Sequence, residues 1–155
     1  MQSPDYKAVF SDIDGTLVAS NHLISPHTEE TIKRILSLGI PFILVSARPP
    51  LAITPYMEQL NNRSPFVAFS GALILDENRK PLYNVTIDEA DQAALDQALA
   101  GFDHLSINHF VQSDWFCNDP EHPAVKLEES IVKLKSAKKP DQLLCANKVL
   151  VIGDA

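Results

Sequence analysis

The sequence predicts an α/β fold built on a parallel sheet, and three observations carry that expectation. Short, continuous apolar runs recur at 7–13 (KAVFSDI), 41–47 (PFILVSA) and 66–71 (FVAFSG). Segments with helical patterning separate them. Each run is bounded by turn or cap residues. Strands buried on both faces read as unbroken apolar runs, and crossover helices then cover the sheet on two sides. The layout is Rossmann-like.

Taken in order, the first run ends in acid, at Asp12 and Asp14. TLVAS and LIS then flank Asn21-His22, where a small hairpin is expected. Ser25-Pro26 supplies an N-cap and a proline at the first helical position. Ile32, Ile35 and Leu36 give the following helix one apolar face, and Gly39 stops it. The next helix, about 50–61, contains Pro55 and is expected to kink or break. ALIL and PLYNVTI enclose the polar DENRK turn and predict a β-hairpin leaving the first unit. Asp88 caps a helix to about Leu99, with Ala90, Ala94, Leu95, Ala98 and Leu99 on its inner side. HLSINHF and WFCN predict strands, 123–135 a charged helix, and NKVLVIG a last strand. A boundary near 80–85 divides 1–82 from 83–155.

The 155 residues suit one domain, or a small domain plus part of another. Apolar residues at 45% and charged residues at 21% allow a real core. The net charge of -7 argues against a general nucleic-acid binder. It leaves room for an anionic small substrate, because a bound cation reverses the local field. No apolar stretch approaches the ~20 residues a bilayer span needs, and Met1-Gln-Ser-Pro-Asp lacks signal-peptide character. Cys117 and Cys145 have no metal-ligand spacing and predict two reduced, mostly buried thiols in a cytoplasmic protein. His22, His27, His104, His109 and His122 show no metal spacing either.

Asp12-Ile13-Asp14 is where chemistry is expected. Ligands of open parallel sheets bind beyond the carboxyl ends of the strands. Two adjacent carboxylates repel unless a cation or a proton lies between them, and Mg²⁺ takes such oxygen ligands. Gly15 lets the chain turn sharply just there. A D-x-D is also a common surface turn. An EF-hand loop would need a further acidic set and a terminal Glu, and a manganese D-x-D site of a glycosyltransferase fits the Gly-Thr that follows poorly.

DIDGTL resembles the first signature, DxDGT, of the haloacid dehalogenase superfamily of phosphotransferases. Ser46 in FILVSAR is similar to the second, a Ser or Thr ending the next core strand. SGALILDENRKPLY resembles the exit into the cap in the Cof-type (class IIB cap) subgroup, and SARPPLAITPYMEQL and SDWFCND are similar to it as well. The resemblance implies a core with an α/β cap, of which this chain holds the N-terminal part and a partial cap. It implies that Asp12 attacks phosphorus to give an aspartyl-phosphate. Asp14 protonates the leaving alcohol and then deprotonates water. Mg²⁺ binds a carboxylate oxygen of Asp12 and the backbone carbonyl of Asp14. The Ser46 hydroxyl, the Ala47 amide and amides around Gly15 and Thr16 hold phosphoryl oxygens, with Arg48 as a weaker candidate. Bland alternatives stand beside these: Ser46 bonding its own backbone, Arg48 solvated, Trp115 packing. Ser70 stands where the subgroup frequently has Asn.

The family's Lys signature and GDxxND signature have no match, and Gly153-Asp154 fits a cap strand better. The expectation is therefore a chain cut within the cap, with a weakly held metal, little phosphatase activity, and self-association through the open edge of its first strand. The substrate would be a small phosphorylated metabolite. A non-catalytic remnant that binds a partner or phosphate, and a receiver-like signalling domain, are the alternatives.

Overall fold

A computed structural model describes residues 6–141 and 145–153. The expectations for the first five residues and for Asp154 lie outside the described residues. The chain divides into two compact units, one running to Arg48 and including Ile53–Tyr83, the other holding Pro49–Ala52 and everything from Asn84 onward.

The first unit carries a five-stranded sheet in chain order: β1 (Val9–Asp12), β2 (Phe42–Val45), β3 (Phe66–Ala68), β4 (Leu73–Leu75) and β5 (Pro81–Asn84). β1, β2 and β3 run parallel, whereas β4 is antiparallel to β3, so the sheet is mixed. The two helices are α1 (Pro26–Ser37) and α2 (Pro50–Gln59).

Local chemistry sets the ends of α1. The Ser25 hydroxyl accepts the Thr28 amide at 3.1 Å, Pro26 opens the first turn, and Gly39 follows the helix in the left-handed region at φ 76°. α2 is continuous over ten residues despite Pro55, correcting the expected break. It closes in a Schellman turn, with the Asn62 amide on Met57 O, the Asn61 amide on Glu58 O, and Asn61 left-handed at φ 49°.

The expected hairpin around Asn21-His22 is a single tight loop instead. The Ala19 amide donates to Leu23 O, the His22 amide to Ala19 O, and His22 takes φ 59°. The third run is a strand only to Ala68, because Phe69 and Ser70 turn left-handed at φ 51° and 54°. No such turn is written in the run's apolar pattern.

The sheet is not covered equally on its two sides. Phe42, Leu44, Phe66, Ala68, Leu73 and Leu75 share one face and are buried. On the other face Phe10 is exposed, and Ile43, Val45, Val67 and Ile74 are half-buried. Among the described residues β1 pairs only with β2, so it is an edge strand.

The second unit is a four-stranded sheet in the order β8-β7-β6-β9, made of β6 (Ser106–Val111), β7 (Asp114–Cys117), β8 (Ala137–Lys138) and β9 (Lys148–Ile152). With it go α3 (Glu89–Leu99) and α4 (Pro123–Val132). Asp88 caps α3 as expected. The inner face of α3 differs from expectation: Gln92 is buried and Leu95, Asp96 and Leu99 are half-buried, whereas Ala90, Ala94 and Ala98 are exposed. Gln92 and Asp96 are drawn inward by polar partners, since Asp96 accepts from Gln92 at 3.0 Å and Lys139 at 2.8 Å and lies 3.2 Å from His109 Nε2. Cys117 is buried but Cys145 is exposed, correcting the expectation for the second thiol. No helix among the described residues is long and apolar enough to cross a membrane.

Candidate active site

Asp12 is the last residue of β1 and lies in register with Val45, one residue before Ser46. The acid and the serine thus share the carboxyl rim of adjacent parallel strands. Asp12 is exposed, and no hydrogen bond or ion pair to its side chain is found among the described residues.

The turn after β1 is built on one carbonyl. Ile13 O accepts the amides of Thr16, Leu17 and Val18 at 3.4, 3.1 and 3.0 Å, and Asp14 bridges to Val18. Gly15 takes φ 76° to make this possible. Ile13, Leu17 and Val18 are buried, so the turn is anchored by apolar side chains while Asp14, Gly15 and Thr16 stay exposed.

Asp14 meets Arg48 as a fork. Nε donates to Oδ2 at 2.9 Å and Nη2 to Oδ1 at 2.6 Å. The Arg48 hydrogen bonds hold the Asp14 carboxyl below the usual carboxylate range, outweighing the opposing effect of partial burial. His22 joins this pair, with Nδ1 at 3.5 Å from Arg48 Nη2 and 3.9 Å from Asp14 Oδ1. Tyr56 places its ring 5.6 Å from the guanidinium carbon. Sequence reading assigned nothing to His22 or Tyr56. The one available signal was that His22 lies in the loop closing back on the acidic motif.

Ser46 is buried, and its hydroxyl accepts the Arg48 amide at 3.1 Å. Ala47 beside it is exposed. The Thr16 amide already points at Ile13 O. The structure therefore brings Asp14, Arg48 and Ser46 into one bonded cluster with Asp12 on the same rim. In the other unit Trp115 is buried against Phe110, and its Nε1 donates to Asn108 Oδ1 at 2.9 Å, which is packing.

For a hard divalent cation the donors fit in kind. Asp12 supplies carboxylate oxygens and Asp14 a backbone carbonyl, both oxygen ligands of the sort Mg²⁺ prefers. Among the described residues no three His, Cys, Asp or Glu side chains converge on one point.

A Rossmann-like α/β unit with an acid pair at the rim of its first strand defines a class of carboxylate-based hydrolases and phosphotransferases. A family profile described as haloacid dehalogenase-like hydrolase matches residues 9–155, and the chain belongs to that family. A provisionally named phosphatase of Haemophilus influenzae is 45% identical over 84% of this chain and 50% of its own length. The pyridoxal phosphate phosphatase YbhA of Escherichia coli is 27% identical over 76% of this chain and 42% of its own. The crystal structure of a haloacid dehalogenase-like hydrolase from Bacteroides thetaiotaomicron superposes with a TM-score of 0.84 at 26% identity, covering 96% of this chain and 59% of that one. A class IIB sugar phosphatase of the superfamily shares the fold at TM-score 0.70 and 19% identity, over 85% of this chain and 52% of that one. The chain spans about half the length of the curated relatives it matches.

Proposed function

We propose that this chain carries the nucleophile half of a magnesium-dependent phosphohydrolase acting on small phosphorylated metabolites. The supporting observation is Asp12, an exposed carboxylate with no side-chain partner found among the described residues, at the sheet's carboxyl rim and in register with Val45, the residue before Ser46. An Asp12 oxygen attacks phosphorus and the bond from phosphorus to the leaving oxygen breaks, giving an aspartyl-phosphate and an alkoxide. Asp14 delivers a proton to that alkoxide, then removes one from the water that attacks the phosphorus and releases phosphate. The Ser46 hydroxyl and the Ala47 amide, with backbone near Gly15 and Thr16, hold the non-bridging oxygens. Mg²⁺, held by Asp12 and the Asp14 carbonyl, would neutralise the charge that otherwise keeps carboxylate and phosphate apart. The cytoplasm, where such metabolites are abundant, suits this reading.

Mg²⁺ keeps several waters and is usually held by one or two carboxylates together with substrate phosphates, so the substrate would complete its shell here. A non-catalytic reading, in which the same rim only binds phosphate or a partner, draws on the same donors. Steady-state hydrolysis of a panel of phosphorylated metabolites, with and without Mg²⁺, separates the two. The enzymatic reading expects metal-dependent release of phosphate that Asp12→Asn abolishes. Release unchanged in Asp12→Asn would sink it.

The partner reading is a second copy of the chain. β1 presents an open edge, and Phe10 adds an exposed ring on the less covered face of the sheet. Open apolar edges are templates for strand pairing.

A further inference from the structure

The strongest unassigned feature is how tightly Arg48 is already engaged. Its backbone is pinned at both ends: the amide donates to Ser46 Oγ at 3.1 Å and the carbonyl accepts the Phe69 amide at 3.2 Å. Its guanidinium gives two donors to the two oxygens of Asp14, the planar match that a lysine cannot reproduce. The Tyr56 ring lies beside the cation, and the Tyr56 hydroxyl donates to the His22 carbonyl at 3.4 Å. This links the loop carrying His22 to α2. Arg48 Nη2 lies 3.5 Å from His22 Nδ1, which sets the ring against the guanidinium. The Arg48 side chain is 14% exposed while that of Asp14 is 49% exposed. The arginine is the buried, fixed partner, and the carboxylate is the one that faces outward.

An incoming phosphate could take the Nε–H and the Nη2–H that face Asp14 only by breaking two charge-assisted hydrogen bonds, an exchange of one anion for another. We propose that Arg48 is a positioning residue for Asp14 and not a phosphate ligand, with His22 and Tyr56 bracing it. Its work is to fix the direction of the carboxylate that moves the proton. The proposal rests on the reading of Asp14 given above.

The test uses the whole chain and two readouts, neither of which needs turnover. The first is the Asp14 carboxyl-carbon resonance in aspartate-labelled protein, identified by its loss in Asp14→Asn. The second is the affinity for inorganic phosphate in the presence of Mg²⁺. Arg48→Lys and Tyr56→Leu should both move the Asp14 resonance. His22→Ala should move it and His22→Asn, which keeps an acceptor, should restore it. Phosphate affinity in Arg48→Lys should stay within about twofold of the parent, whereas losing a charge-assisted contact would weaken it about tenfold or more. A weakening of that size with an unmoved Asp14 resonance overturns the proposal. Ser46→Ala serves as the separate control on the phosphatase reading. If it leaves phosphate affinity untouched, that reading fails, while the Asp14 resonance still decides the role of Arg48.

Discussion

The two units differ in where the polar residues of their sheets find partners. In the second unit several buried polar groups are answered from within, although Gln92 Oε1 and His109 Nδ1 are buried with no partner found among the described residues. Asn108 donates to Ser106 and to Leu150 O while accepting from Trp115, and Glu129 accepts from Lys135, from the Ser136 amide and from the Ser136 hydroxyl. In the first unit Asp12 is exposed with no side-chain partner found among the described residues, and Asp14 is held by Arg48 with His22 beside it. Satisfied polar groups specify a fold, whereas unsatisfied ones at a sheet rim mark where something else must bind.

The comparison breaks first at Trp115. Trp115→Ala should destabilise the second unit by about 3–5 kcal/mol, through lost burial and an orphaned Asn108 oxygen. Chemical denaturation read by amide resonances of each unit checks this, and phosphate binding in the first unit should be unchanged. Phe10→Lys should have the contrary pattern, with little loss of stability but a shift to monomer in sedimentation. A wild-type chain that is already monomeric at high concentration removes the self-association reading.

Glu129 sharpens the contrast through pH. Its hydrogen bonds from Lys135 and Ser136 lower its pKa from 4.5 to about 2. A carboxyl whose folded pKa is depressed stabilises fully above its ordinary value and loses that contribution as pH falls toward the folded one. The second unit should therefore lose stability between pH 4.5 and about 2, and Glu129→Gln should flatten that slope in acid titrations of its denaturation midpoint. The smallest effect is expected at Ser25→Ala, which removes one cap from α1 at a cost of about 1 kcal/mol by thermal unfolding.

Those features also show what a sequence can reveal. Ser25, Pro26, Gly39 and Asp88 act on neighbours within a few residues, so the ends of α1 and the start of α3 could be read directly. The carboxyl-rim position of Asp12 and Ser46 followed from where the apolar runs stop. The inner face of α3 could not be read, because Gln92 and Asp96 turn inward for His109 and Lys139, which lie on other elements. His22 escaped for a similar reason, since 26 residues separate it from Arg48. The left-handed turn at Phe69 and Ser70 has neither glycine nor asparagine at those two positions to announce it.

Asp12 as phosphoryl acceptor is the claim on which the rest depends. The direct measurement is peptide mass spectrometry after brief exposure of the chain to a small acyl phosphate donor with Mg²⁺, with acid quench to preserve the acyl phosphate. The account predicts one added phosphoryl group on the peptide containing Asp12, absent from Asp12→Asn. A phosphoryl group found on another residue, or an Asp12 peptide that stays unmodified in the parent chain, would contradict it.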